Sequence, residues 1–290
     1  MLWLSTLKGE EMVSLTSIAA MILTLVISLF LPVILLIAYA GTHRKKKVVS
    51  AWFLGAAGFF VTQMLIRTPI LTVLGLFPAF LDFVMKHYVA YALILAFTAG
   101  LFEVAGRYAV AKILRKELTF ERSLAAGLGH GGIEAMLLIG ITYINNLIYT
   151  VMINTGTFDI MVEQTAALGV DTSSLLAIKD TFFTTPAYIF CLAGYERILT
   201  MISHTAMTLI VCYYVTKKQD LKGVLICLAF HTLLDGVSGL LSGMSTEYMN
   251  NILSQNTVYV LIYVFLTAMA AVSAVVILRL SKARKSEAAV

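Results

Sequence analysis

The sequence predicts an all-α, polytopic transmembrane helical bundle of about seven spans, and three observations carry that prediction. Apolar residues make up 60% of the 290-residue chain and charged residues only 13%, whereas a soluble domain carries about 25% charged residues and could not hide this much apolar surface from water. The apolar residues fall in runs long enough to cross about 30 Å of hydrocarbon at about 1.5 Å per residue. Short basic clusters end those runs, as topology signals do. A membrane β-barrel is excluded, because its strands alternate apolar and polar residues over roughly ten positions and these runs do not alternate.

Taken in order, the spans are expected at 13–41, 49–66, 88–114, 123–151, 195–216, 222–243 and 256–280. The first stops at Arg44-Lys45-Lys46-Lys47 and the second at Arg67. Residues 68–85 are apolar too, but Pro69 and Pro78 interrupt them, and a proline inside a helix removes a hydrogen bond and clashes with the preceding turn. They read as an interfacial or re-entrant segment. The third span runs into Lys112 and Arg115, and the fourth starts after Arg122. Residues 152–194 hold Asn154, Gly156, Asp159, Glu163, Asp171, Lys179 and Asp180, and read as a long loop with room for one short amphipathic helix. The fifth span ends at Lys217-Lys218, the sixth begins at Lys222, and the seventh ends at Arg279. Trp3, Trp52 and tyrosines near the helix ends suit an aromatic belt at the membrane surfaces.

The whole chain, 1–290, is expected to be one integral membrane domain, with its polar motifs concentrated at about 90–245. Cys191, Cys212 and Cys227 sit in apolar runs without paired spacing, which indicates packing residues rather than a disulfide framework. The N-terminus lacks the basic start, short apolar core and small-residue cleavage site of a removed signal peptide, and Glu287-Ala-Ala-Val290 carries no prenylation box. The net charge of +5 does not signal nucleic acid, because the basic residues are confined to the ends of apolar segments.

The membrane interior is unusually polar. Glu103 and Arg107 lie four residues apart in the third span, His130 and Glu134 in the fourth, and His231 and Asp235 in the sixth; the fifth carries His204. Residues four apart share a helical face and can pair. At about 1.5 Å per residue, Glu103 lies roughly 18 Å from Arg115, Glu134 roughly 18 Å from Arg122 and His204 roughly 20 Å from Lys217. On the same count His231 and Asp235 lie roughly 14 and 20 Å from Lys222. Four helices therefore bring ionisable groups to one layer. Such groups are expensive in a bilayer and face a shared interior. Gly127, Gly129, Gly131 and Gly132 crowd the fourth span, where small residues let helix backbones approach closely.

Glu103-x-x-x-Arg107, then His204, then His231-x-x-x-Asp235 resembles the three-motif pattern of the CAAX-protease and bacteriocin-processing superfamily of membrane peptidases. The stretch Gly129-His-Gly-Gly-Ile-Glu134-Ala, with Phe102-Glu103 before it and Phe230-His231 after it, is more closely similar to the YhfC type of intramembrane peptidase. The likeness runs from about residue 90 to about residue 245. The CAAX-type first motif has two adjacent glutamates, and here Phe102 precedes Glu103, so either Glu103 or Glu134 can supply the base. The resemblance implies an endopeptidase acting on a peptide or membrane-protein substrate in or near the bilayer.

Peptide hydrolysis needs an activated water, a proton for the leaving amine and stabilisation of the oxyanion. The candidate residues are Glu103, Arg107, His130, Glu134, His204, His231 and Asp235. His204 and His231 with Glu103 or Glu134 also form the donor set of a catalytic zinc or other divalent metal, so metal-bound and metal-free chemistry both stay open. Neither a His-Glu-x-x-His run nor a Gly-x-Ser-x-Gly elbow is present. Two other classes compete. A proton-coupled transporter uses the same buried residue types, and a non-catalytic scaffold could use them to bind a partner helix. Glu196 and Arg197 are expected to snorkel at the outer interface.

Orientation follows from charge. Fifteen of the 21 Lys and Arg residues lie in the clusters at 44–47, 112–122, 217–222 and 279–285, against Lys8, Arg67, Lys86, Lys179 and Arg197 on the other side. The positive-inside rule then puts the N-terminus outside and the C-terminus in the cytoplasm, in the plasma membrane. A cysteine placed at Val170 is therefore expected to react with an impermeant thiol reagent from outside the cell, and reaction only from the cytoplasm would reverse the orientation.

Overall fold

The computed structural model describes residues 12–287. Lys8, Trp3 and the chain after Glu287 lie outside the described residues. Among those described, the secondary structure is helical, with no strand. Seven helices are long and apolar enough to cross a membrane: α1 (Leu15–Thr42), α2 (Val48–Leu74), α4 (Tyr88–Glu117), α5 (Phe120–Asn154), α8 (Ala187–Thr216), α9 (Asp220–Gly243) and α10 (Gln255–Ala283). Three short helices complete the order: α3 (Pro78–Lys86), α6 (Thr157–Ala167) and α7 (Ser173–Thr184). The protein is an integral membrane protein of the expected fold class. Ile37, Ile113, Val260 and Val264 are among the large apolar side chains left exposed, as lipid-facing positions are.

Two expectations about the connections change. The second span does not stop at Arg67; it continues through Pro69 to Leu74. The residues before the proline, Phe60–Arg67, wind as π turns, and the Thr68 N–H bonds to the Gln63 carbonyl five residues back. Such wide turns are where helices absorb local irregularity. The break comes at Gly75–Phe77, and α3 that follows has nine residues, about 14 Å at the helical rise. It cannot cross the hydrocarbon, so the later spans keep their direction.

The stretch 152–194 is not a loop with one helix. It is the end of α5, then α6 and α7, then the start of α8. Gly156 and Gly169, both at φ +74°, make the turns around α6. Sequence reading missed these helices because their polar residues dominate. Phe158, on α6, and Phe182, on α7, are buried all the same.

The described chain divides into two compact units. One takes in the chain up to Leu31 with Ala135–Arg197. Its core joins Met21, Tyr143, Ile153, Phe158, Phe182 and Phe190. The Thr24 and Tyr143 hydroxyls both donate to the Phe190 carbonyl, at 2.6 and 3.0 Å. Glu196 and Arg197 belong here and pair with each other. Arg197 is buried rather than snorkelling at the surface, its charge met by the neighbouring carboxylate.

The other unit takes in Pro32–Glu134 and the chain from Ile198 onward. Here α2 packs on α5, and α4 on α9. Cys212 and Cys227 are free thiols inside an apolar cluster with Val104, Ala111, Met207 and Val211, in keeping with packing residues. At the basic end, Lys112 and Tyr108 of α4 both bond to Asp220 Oδ2 of α9, at 2.8 and 3.0 Å. Glycine sets the helix separations around α5. A Cβ at Gly129 would fall 1.9 Å from the Trp52 carbonyl oxygen, and one at Gly131 would fall 3.0 Å from the His204 Cβ. The backbones therefore approach to where no side chain fits, and His130 and Glu134 are carried in with them.

Gly129→Ala is expected to destabilise the protein by at least the about 1–3 kcal/mol of a typical overpacked core. Gly41→Ala, which meets nothing within 4 Å, is expected to stay within about 0.5 kcal/mol, as surface changes do. Thermal unfolding of both variants in the same detergent checks the contrast.

Candidate active site

All seven polar residues singled out in the sequence lie in the second unit, and six of them surround one carboxylate or its immediate partner. Glu103 is buried in α4, 4% exposed. Its Oε2 accepts from Arg107 Nη2 at 2.9 Å, one turn along the same helix. The same oxygen lies 3.1 Å from His130 Nε2, 3.4 Å from His204 Nδ1 and 2.8 Å from His231 Nε2. Three helices other than α4 thus each deliver one imidazole to a single carboxylate oxygen. The rings pack on one another: His130 and His204 are stacked, centroids 5.6 Å apart, and His204 meets His231 edge to face at 5.5 Å. Phe59 closes the other side of His130, edge to face at 5.3 Å.

Two further carboxylates lie near the outer imidazole nitrogens. Glu134 Oε2 lies 3.1 Å from His204 Nε2, and Asp235 Oδ2 lies 3.3 Å from His231 Nδ1. Arg107 Nη2 also donates to His204 Nδ1. Because arginine only donates, that nitrogen accepts. Asp235 is the outermost member, with a side chain 35% exposed, and it touches the layer through His231.

Sequence reasoning missed Gln63 and Arg67. Gln63 Nε2 donates to Glu103 Oε1 at 2.7 Å, and Arg67 Nη1 donates to Gln63 Oε1 at 3.4 Å. Gln63 is buried and fills the one carboxylate oxygen that the histidines leave free. The signal was present: a lone glutamine in an apolar run, four residues before an arginine, the same spacing as the three recognised pairs.

The residues fit a divalent metal. Glu103, His130 and His204 each offer a donor atom, all three within 4.8 Å of one another and all buried. Zinc–ligand bonds of about 2.0–2.1 Å place tetrahedral neighbours roughly 3.3–3.4 Å apart, close to the 3.1 and 3.4 Å separations of Glu103 Oε2 from the two histidine nitrogens. His130 Nδ1 is buried without a hydrogen-bond partner. The geometry thus adds His130 to the ligand candidates read from sequence, which were His204, His231, Glu103 and Glu134.

A family model described as YhfC intramembrane metalloprotease matches residues 27–258, a stretch that contains every residue of the polar layer. An uncharacterized membrane protein YhfC of Bacillus subtilis (strain 168) is 30% identical over 211 residues, which cover 72% of this chain and 80% of that protein. No solved structure matches the chain. The seven apolar helices, the buried Glu–Arg–His layer and the extent of these matches together show that the chain belongs to the YhfC intramembrane metalloprotease family.

Proposed function

We propose that this protein is an intramembrane endopeptidase that hydrolyses peptide bonds of a membrane-associated substrate at the Glu103 layer. The observation that carries the reading is the convergence of Arg107, His130, His204 and His231 on the one oxygen, Glu103 Oε2. Isolated charge is too costly in a bilayer to persist without a use. Packing alone would be served by the Glu103–Arg107 pair, without three imidazoles.

Glu103, His130 and His204 would hold a divalent metal, which when bound lowers the pKa of water and polarises a carbonyl. The remaining residues have their own work. Glu134 orients His204 through Nε2, the partner that fixes a ligating imidazole, and lies close enough to the layer to accept a proton from water. Asp235 holds His231 Nδ1, which turns His231 Nε2 toward the layer to deliver a proton to the leaving amine. Arg107 pairs with Glu103, and its Nε and Nη1 groups, buried without acceptors, can donate to the negative oxygen that forms on the substrate. Gln63 fixes the rotation of the Glu103 carboxylate from the far side.

One observation favours a second reading. Asp235, His231, Glu103, His204 and Glu134 follow one another at separations of 3.3, 2.8, 3.4 and 3.1 Å, and rows of buried ionisable groups also carry protons in transporters. Cleavage and flux separate the two. Against a panel of membrane-peptide substrates, Glu103→Gln or Glu134→Gln is expected to abolish turnover in folded protein. His204→Ala and His231→Ala are each expected to cut it by at least about 100-fold. Full cleavage by both histidine variants would remove their roles. Proton or solute flux in proteoliposomes, lost in the same variants and without cleaved product, would replace the peptidase reading with transport.

Metal content gives an independent check. The purified protein is expected to hold about one divalent metal ion, as closed donor sets do, and His130→Ala and His204→Ala are expected to lose it by mass spectrometry. Retention of metal by both variants would remove His130 and His204 as ligands, and absence of metal from the folded unaltered protein would leave only metal-free carboxylate chemistry. For Gln63→Leu, the expected cost is about 1–3 kcal/mol for the buried Glu103 oxygen left without a donor, read as a lower unfolding temperature, with slower cleavage. A variant of unchanged stability and rate would show that Gln63 does not position Glu103.

A further inference from the structure

The layer has different surroundings toward its two ends. Toward the basic clusters, the next turns of α4, α8 and α9 are apolar, and the pocket beyond them, of about 200 Å³, is lined by Leu118, Ser123, Cys212 and Thr216 and by none of the layer's residues. Val104, Met207, Val211, Cys212 and Cys227 form a buried cluster there, each at most 2% exposed. Toward the other end, α2, α4 and α9 border an open pocket of about 240 Å³. Its walls carry Arg67, Tyr88, Tyr91 and Asp235, with Gly239 at the side. Ala99, also in the lining, is one helical turn from Glu103.

The polar walls of this pocket connect inward to both oxygens of Glu103. Arg67 reaches Oε1 through Gln63, by contacts of 3.4 and 2.7 Å. Asp235 reaches Oε2 through His231, by contacts of 3.3 and 2.8 Å. Arg67 is anchored by the Leu95 carbonyl at 2.8 Å, and Tyr88 donates to the Gly239 carbonyl at 3.0 Å. The groove on the other side of the same helix pair is lined by Leu93, Phe97, Leu233 and Leu240 and offers almost nothing polar. Hydrocarbon supplies no water, and non-helical peptide backbone at membrane depth is tolerated only where it lines a polar cavity or is buried in protein. A hydrolytic site within a membrane therefore needs a polar way in, and the pocket between Arg67 and Asp235 has the lining for one.

We propose that this pocket is the port through which water and the backbone of a peptide substrate reach Glu103, from the membrane face opposite the basic clusters. This rests on reading the layer as a hydrolytic site, and it adds the side from which hydrolysis is fed. Arg67 and Tyr91 would meet substrate carbonyls, and Asp235 would meet substrate amides. The cleaved bond then lies toward that face and not toward the basic one.

Accessibility tests the port without relying on cleavage. Single cysteines are placed at Gly239 and Tyr91 in a chain whose three native cysteines are replaced. A Cβ at Gly239 meets only Ala92 Cβ, at 3.8 Å, so at least this variant is expected to fold. Lys116→Cys reports the basic side, Ile94→Cys an apolar surface position, and Val211→Cys the closed cluster. A positively charged, impermeant methanethiosulfonate reagent is applied to sealed vesicles of each orientation. Gly239→Cys and Tyr91→Cys are expected to react from the side opposite Lys116→Cys. They should react at least about tenfold faster than Ile94→Cys or Val211→Cys, since a charged reagent is excluded from hydrocarbon. Modification of Gly239→Cys is also expected to stop cleavage. Reaction only from the Lys116 side, rates no faster than at Ile94, or cleavage undiminished by the label would overturn the port. Reaction as expected in a protein that cleaves no substrate even unlabelled would uphold the port and overturn the peptidase reading.

Discussion

A carboxylate in the hydrocarbon layer must be neutralised and hydrogen-bonded at both oxygens, and that requirement at Glu103 organises the surrounding helices. Its own helix supplies Arg107. The other contacts come from α2, α5, α8 and α9, through Gln63, His130, His204 and His231. No two of these come from the same helix, so satisfying one side chain fixes five helices at one depth. In a low-dielectric interior each missing partner costs more than it would in water. The layer is therefore a structural constraint on all five helices.

Close approach makes the convergence possible. A histidine spans only a few ångströms from its backbone, so three rings can share one oxygen only if their helices almost touch. Gly129 lets α5 sit against α2 at Trp52, and Gly131 lets it sit against α8 at His204. The glycines act through what they omit. Without an aqueous driving force between helices in lipid, such backbone contact is also what holds them together.

Much of this was legible in the sequence. The spans followed from run length, and the layer followed from counting residues between each ionisable group and the nearest basic cluster. What the count could not give was rotation about each helix axis. Depth placed His130 among its neighbours but not its nearness to the metal-donor set, which depends on how α5 is turned by the glycines on either side of it. Gln63 and Arg67 were hidden for another reason. Arg67 read as the charge that ends the second span, so its four-residue spacing from Gln63 was not taken as a pair inside the membrane. Of the helices α6 and α7 only one was allowed for, because a single buried phenylalanine on each makes too weak an apolar pattern to stand out from the charged neighbours.

The ion pair between Glu103 and Arg107 also bears on how the chain enters the membrane. Synthesis runs from the N-terminus, so α4 must partition into lipid before α5, α8 and α9 exist to receive its carboxylate. An arginine one turn away lets this helix travel as a self-neutralised unit, its charge balanced with nothing borrowed from later segments. His231 has a comparable companion on its own helix in Asp235, while His204 comes with none and finds Glu134 on a helix already in place. The order of residues along the chain thus doubles as an order of assembly, in which Glu103 arrives with its counter-charge and the imidazoles that contact it follow.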